Sequence, residues 1–154
     1  IENVHTKNVS TEFGEFKLDV WRDVIFDEYH FSLTKGFPEK ADVPMVRVQT
    51  QSVLQDTLGI DEIGKKWSIR KSLQKIADTG TGVFVLINHR DAKAYWLSNL
   101  KDENIEPKRN RRVIGIGSQI LRALGLSKIN VLGTPTKYSG LSGFNIEIEG
   151  FVDE

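Results

Sequence analysis

The stretch that decides the fold lies in the last third of the chain, where a basic cluster leads into a helical apolar pattern. It reads Asn110-Arg111-Arg112-Val113-Ile114-Gly115-Ile116-Gly117-Ser118-Gln119-Ile120-Leu121-Arg122-Ala123-Leu124-Gly125. Apolar residues recur at three- and four-residue spacing, which predicts a short helix over residues 113–124 with one side on a core. Gly115 and Gly117 allow two interpretations. They form either a turn whose N–H groups bind a phosphate at the helix start, or a place of close packing between helix and sheet. The pattern alone favours packing.

The composition of the chain limits the functions that this stretch can have. The chain has 154 residues, which suits one domain over residues 1–154. Its 21 basic residues balance 21 acidic ones, so we expect neither a nucleic-acid partner nor an anionic membrane surface. The absence of cysteine excludes disulfides, thiolate zinc sites and a cysteine nucleophile, and it fits a reducing, cytoplasmic location. The longest apolar run, residues 83–87, is far shorter than the roughly 20 residues of a membrane span.

Periodicity along the chain predicts an α+β or mixed α/β layered domain. Strands are expected at residues 16–20, 29–33, 45–48, 83–87, 129–132 and 144–148, further helices at residues 65–79 and 91–100, and a polar, basic loop at residues 101–112. In the first strand, Phe16 and Leu18 alternate with charged residues, so one face lies on a core. Trp21 falls on the other face, where we expect it to cover a neighbour rather than stack a ligand.

Few residues offer catalytic or metal chemistry by spacing alone. The three histidines, His5, His30 and His89, lack a ligand spacing such as His-x-x-x-His. We therefore expect surface or strand histidines rather than metal ligands. No Gly-x-Ser-x-Gly motif of serine hydrolases is present. The densest basic run, residues 108–112, predicts a solvated loop first and an anion-binding surface second.

Nearly the whole chain resembles the GTP cyclohydrolase II family of riboflavin biosynthesis. The resemblance rests on residues 11–16, on Val46-Arg47-Val48 in place of the family's Arg-Val-His-Ser-Glu-Cys, on the junction at residues 76–83, and on residues 112–125. The last stretch is similar to the family's Arg-Asp-Tyr-Gly-Ile-Gly-Ala-Gln-Ile-Leu-x-x-Leu-Gly. The resemblance implies the family's fold. In active members it also implies hydrolysis of GTP with a zinc ion held by three cysteines.

The zinc site that the resemblance implies has lost its ligands in this chain. Counting without gaps from Arg47 places Ser52, Ile63 and Lys65 at the three cysteine positions. An isoleucine and an ammonium group cannot hold zinc, which in active members activates the attacking water. We therefore expect no zinc, and no other cofactor, in this domain.

Other positions of the family's site are also changed. Residues 88–92 lack the glutamate and glycine of the family's Arg-Gln-Glu-Gly-Arg, and a shortened connection omits the piece that carries its catalytic tyrosine. The family's Asp-x-Arg, whose arginine is proposed to attack the α-phosphate, reads Asn110-Arg111-Arg112. Arg112 is therefore interpreted as the remnant of a nucleophile, and no residue is predicted to be catalytic. The resemblance offers Arg47, Arg112 and Lys137 as phosphate-binding residues.

With these losses and the loop at residues 132–138, the chain resembles the degenerate C-terminal half of some bacterial 3,4-dihydroxy-2-butanone 4-phosphate synthases. The leading hypothesis is a non-catalytic domain, expected as a homodimer, that stabilises or regulates a fused N-terminal synthase or docks on a genuine GTP cyclohydrolase II. The fused synthase is expected to use magnesium and ribulose 5-phosphate. A start at Ile1 without methionine agrees with excision from a longer protein. The alternative hypothesis is a retained nucleotide or phosphate-ester site, acting as a sensor or as an altered, metal-free hydrolase.

Overall fold

A computed structural model of the chain describes residues 1–60, 67–88, 107–133 and 145–152, with side chains there except at residues 107–111. Its strands are β1 (Glu2–Thr11), β2 (Gly14–Asp23), β3 (Glu28–Lys35), β4 (Met45–Thr50), β5 (Gly82–Ile87), β6 (Lys128–Leu132) and β7 (Glu147–Val152). Its helices are α1 (Ile69–Thr79), between β4 and β5, and α2 (Pro107–Ala123), before β6. Short helical turns lie at Pro38–Lys40 and Val53–Thr57.

The strands in the described part of the chain form one mixed sheet in the order β1-β2-β3-β5-β4-β6-β7. β1, β2, β3 and β5 pair antiparallel, whereas β5, β4, β6 and β7 pair parallel. Parallel neighbours need a crossover connection, and α1 lies in the one between β4 and β5. The layered fold predicted from the sequence is confirmed.

Apolar side chains cover both faces of the sheet. Val83, Val85 and Ile87 of β5 pack with residues of α2 on one face, called the α2 face below. Phe84 packs with residues of α1 on the opposite face, called the α1 face.

β2 also contributes to both faces, with Phe16 on the α1 face and Trp21 on the α2 face. The prediction of a single core face for this strand is therefore wrong. Trp21 is buried and its Nε1 donates a hydrogen bond to Ser32 Oγ at 2.9 Å, so the prediction that it covers a neighbour is confirmed.

Helix α2 is longer than predicted and contains no glycine turn. It begins at Pro107, a residue favoured at the first helical position, so the predicted loop is wrong for residues 107–112. Gly115 and Gly117 lie inside the helix. A Cβ atom on Gly117 would lie 2.7 Å from Val48 Cγ1, so this glycine permits the close approach of α2 to β4. The packing interpretation is correct for Gly117.

The remaining elements differ from their predictions mainly at their ends. α1 begins at Ile69 and ends at Thr79. Before it, the Ser68 side chain accepts a hydrogen bond from the Lys71 backbone N at 3.1 Å, and after it Gly80 closes the helix with φ of 87°. β7 lies later than the predicted strand at residues 144–148. The predicted helix at residues 91–100 falls outside the described residues. Within the part that the structure describes, no helix has the length and apolar character of a membrane span.

Candidate functional site

Arg112 of α2 lies against the hairpin that joins β2 to β3. Its Nη2 atom forms an ion pair with Glu28 Oε1, and its guanidinium carbon lies 4.1 Å from the centre of the Phe26 ring. The Glu28 side chain is 4% exposed and that of Arg112 is 29% exposed. Glu28 is the first residue of β3 and lies two residues before His30, so the two side chains share a face of the sheet. His30 stands opposite Trp21, which is on the α2 face, so Glu28 points to that face as well. The arginine predicted to bind phosphate therefore has a carboxylate of its own chain as its partner.

A second carboxylate lies beside this pair. Asp23 stands opposite Glu28 in the strand register, and oxygen atoms of both lie within 4.8 Å of each other and of a ring nitrogen of His30. Such a trio has the ligand types of a divalent-metal site. However, His30 Nδ1 accepts a hydrogen bond from the Asn88 backbone N at 3.0 Å, and Arg112 already brings a positive charge to Glu28.

Sequence reasoning missed this cluster because its members come from two strands and a distant helix. The only local signal was the hairpin itself, in which Asp23 closes one strand and Glu28 opens the next.

Arg47, the second predicted phosphate ligand, lies on the α1 face and is 4% exposed. Its Nε donates to Gln49 Oε1 at 2.7 Å, Nη1 to the Leu132 carbonyl at 2.9 Å, and Nη2 to the Trp67 carbonyl at 3.1 Å. These bonds join β4 to β6 and to the residue that precedes α1. Arg47 and Arg112 lie on opposite faces of the sheet, so the structure does not bring them together. Lys137 lies outside the described residues, and phosphate binding by any of the three stays a prediction.

Ser52, at the first family zinc position, is buried just after β4. Its hydroxyl accepts a hydrogen bond from the Gln55 backbone N at 3.2 Å and caps the turn at Val53–Thr57. Its own backbone N donates to Asp56 Oδ2 at 2.8 Å, while Asp56 Oδ1 accepts from the Ile69 backbone N at 3.2 Å. These contacts tie the end of β4 to the start of α1.

The residues at the zinc positions do not fit zinc. Ser52 offers a hydroxyl that is already used as a helix cap, and the types of Ile63 and Lys65, which lie outside the described residues, provide no thiolate, imidazole or carboxylate.

Nearly the whole chain is similar to known proteins. A family model described as GTP cyclohydrolase II matches residues 2–153. A 3,4-dihydroxy-2-butanone 4-phosphate synthase of Pseudomonas aeruginosa is 30% identical over 96% of this chain and 42% of its own length. The protein of the same name from Neisseria meningitidis serogroup B is 33% identical over 98% of this chain and 42% of its own length.

Two further relatives extend the comparison. The riboflavin biosynthesis protein RibBA of Cytophaga hutchinsonii is 30% identical over 92% of this chain and 38% of its own length. Among solved structures, RibBX of A. baumannii, a two-domain 3,4-dihydroxy-2-butanone 4-phosphate synthase, matches with a TM-score of 0.66 and 26% identity, over 99% of this chain and 40% of that one. The chain thus spans well under half the length of these relatives.

Proposed function

The chain belongs to the GTP cyclohydrolase II family, as its motifs predicted, and we propose that it is a catalytically degenerate domain of a riboflavin-biosynthesis protein. In this proposal it stabilises, dimerises or regulates a fused 3,4-dihydroxy-2-butanone 4-phosphate synthase domain. Relatives with this synthase name are matched over only 42% of their length, which supports a further domain in the whole protein.

The burial and hydrogen bonding of Ser52 are the observation that carries the proposal. A zinc hydrolase needs ligands that hold the ion and leave one position open for water. At the first ligand position this chain has a buried hydroxyl that caps a helical turn. The side chain therefore serves the local fold, and the chemistry of the donor set leaves hydrolysis without its Lewis acid.

The expected result is that the chain does not turn over GTP. Purified protein incubated with GTP and added zinc should release no formate and no ring-opened product, while an active GTP cyclohydrolase II in the same buffer should release both. Formate release that rises with the concentration of this chain and is absent from a mock purification would overturn the proposal.

The structural part of the proposal has its own test. A dimerising role predicts that the chain sediments at twice its monomer mass in analytical ultracentrifugation at micromolar concentration. A regulatory role predicts that removal of this domain from the full-length protein changes the magnesium-dependent conversion of ribulose 5-phosphate or the stability of the synthase. A monomer whose removal changes neither property would contradict both roles.

Docking on a genuine GTP cyclohydrolase II is the remaining form of the proposal. Co-sedimentation of the two purified proteins would reveal it, and separate boundaries at micromolar concentrations would exclude it.

A further inference from the structure

The edge of the Arg112 guanidinium that carries Nε and Nη2 is not available to an anionic ligand. Arginine holds phosphates and carboxylates best through two parallel N–H groups. In this chain Nη2 is paired with Glu28, and Nε, on the same edge, is buried and makes no hydrogen bond to any residue that the structure describes. One face of the guanidinium is covered by the Phe26 ring. A carboxylate therefore already occupies the donor that an anionic ligand would use.

The surrounding charge also opposes a second anion. Glu28 pairs with Arg112 and is only 4% exposed, and an oxygen atom of Asp23 lies within 4.8 Å of one of Glu28, so two carboxylates lie close together beside this guanidinium. A phosphate that displaced Glu28 would separate this buried carboxylate from the Arg112 guanidinium, and breaking a buried ion pair is unfavourable. A phosphate that bound beside Glu28 would face a like charge within a few ångströms, where solvent screens the repulsion poorly.

We propose that Glu28 closes the anion site at Arg112 and thereby determines that this domain does not bind phosphate esters there. The inference deepens the proposed function because it concerns the same remnant arginine, yet each can fail without the other. GTP turnover that persists in Arg112→Gln would overturn the proposed function alone, whereas tight pyrophosphate binding at Arg112 without turnover would overturn only this inference.

The test compares two variants that remove one negative charge from adjacent positions. Glu28→Gln takes the carboxylate from Arg112. Asp27→Asn is the matched control, since Asp27 is exposed and pairs with Arg22 at 3.0 Å, a contact that raises the pKa of Arg22. Asp27 has φ of 51°, a conformation that asparagine tolerates, so the control should fold.

Calorimetric titration of the whole chain with pyrophosphate at low salt is the measurement. Glu28→Gln should bind at least about tenfold more tightly than the wild type, because a like charge is removed and the guanidinium edge is released. Asp27→Asn should bind like the wild type, and the double variant Glu28→Gln/Arg112→Gln should lose the gain. Equal affinity of wild type and Glu28→Gln, an equal gain in Asp27→Asn, or a gain that survives in the double variant would each overturn the proposal.

A measurement on the wild type covers the case in which Glu28→Gln fails to fold. The Arg112 Nε–Hε resonance, identified by its absence in Arg112→Gln, is followed by NMR during a pyrophosphate titration. We expect no change up to about millimolar concentration. A saturable shift at lower concentration would show that Glu28 leaves the site open, and the proposal would be wrong.

Discussion

At the scale of single residues, the two arginines that the family pattern marks as phosphate ligands are both held by acceptors of their own chain. Arg47 donates to two backbone carbonyls and a side-chain amide, and Arg112 pairs with a buried carboxylate. The sequence could mark both residues through the resemblance. It could not show their partners, since Leu132 is 85 residues from Arg47 and Glu28 is 84 residues from Arg112.

Arg47→Met tests whether this guanidinium is structural. The methionine keeps the apolar stem but removes the buried hydrogen bonds to the Leu132 and Trp67 carbonyls, so the free energy of unfolding should fall by about 2–4 kcal/mol. The control is Arg122→Met, because Arg122 is exposed and donates only to the Asn145 carbonyl at 3.0 Å in the part of the chain described. Its loss should stay within about 1 kcal/mol. Urea unfolding followed by circular dichroism measures both, and equal losses would contradict the structural role of Arg47.

At the scale of elements, α2 shows what an apolar pattern predicts and what it leaves open. Apolar spacing correctly predicted a helix through Ile116 and Ile120, both of which are buried against the sheet. Glycine is costly inside a helix, and the two glycines left open both a phosphate-binding turn and close packing against the sheet, of which the pattern favoured packing. The cost is accepted at Gly117 because Val48 lies where a side chain would be. The position of the neighbouring strand β4 decides whether a glycine is needed at residue 117, and the apolar periodicity of α2 carries no information about that position.

Gly117→Ala should therefore destabilise the protein, although alanine is the better helix former. The added Cβ would meet Val48 Cγ1 at 2.7 Å and Cγ2 at 3.3 Å, so α2 must shift, at a cost of about 1–3 kcal/mol. Val48→Ala removes both methyl groups. In the double variant the loss should be smaller than the sum of the two single losses by about 1 kcal/mol or more. Thermal or urea unfolding measures the cycle, and strict additivity would contradict direct contact between Gly117 and Val48.

At the scale of the whole molecule, the sequence predicted the fold class but not the order of the strands. β5 lies between β3 and β4, so it is antiparallel to one neighbour and parallel to the other. Its uninterrupted apolar run, Val83 to Ile87, correctly indicated burial on both faces. Which cluster each residue joins depends on the positions of α1 and α2. The pattern of a single strand does not show on which side of the sheet each helix lies. The same limit hid the hairpin carboxylates beside Arg112.

Because β5 joins both clusters, the two faces of the sheet should unfold together. Trp21 lies in the cluster of the α2 face and Trp67 in that of the α1 face, so each tryptophan reports on one face. Two variants leave a single tryptophan: Trp67→Phe/Trp96→Phe keeps Trp21, and Trp21→Phe/Trp96→Phe keeps Trp67. In each, urea unfolding followed by fluorescence and by far-ultraviolet circular dichroism should give one midpoint and one slope. Val85→Ala and Phe84→Ala, neighbours on β5 that face opposite clusters, should lower the stability by about 1–3 and about 3–5 kcal/mol respectively, and each should shift both probes equally. A fluorescence midpoint that precedes the circular-dichroism midpoint in one variant would mean that its face separates first, and that β5 does not couple the two clusters.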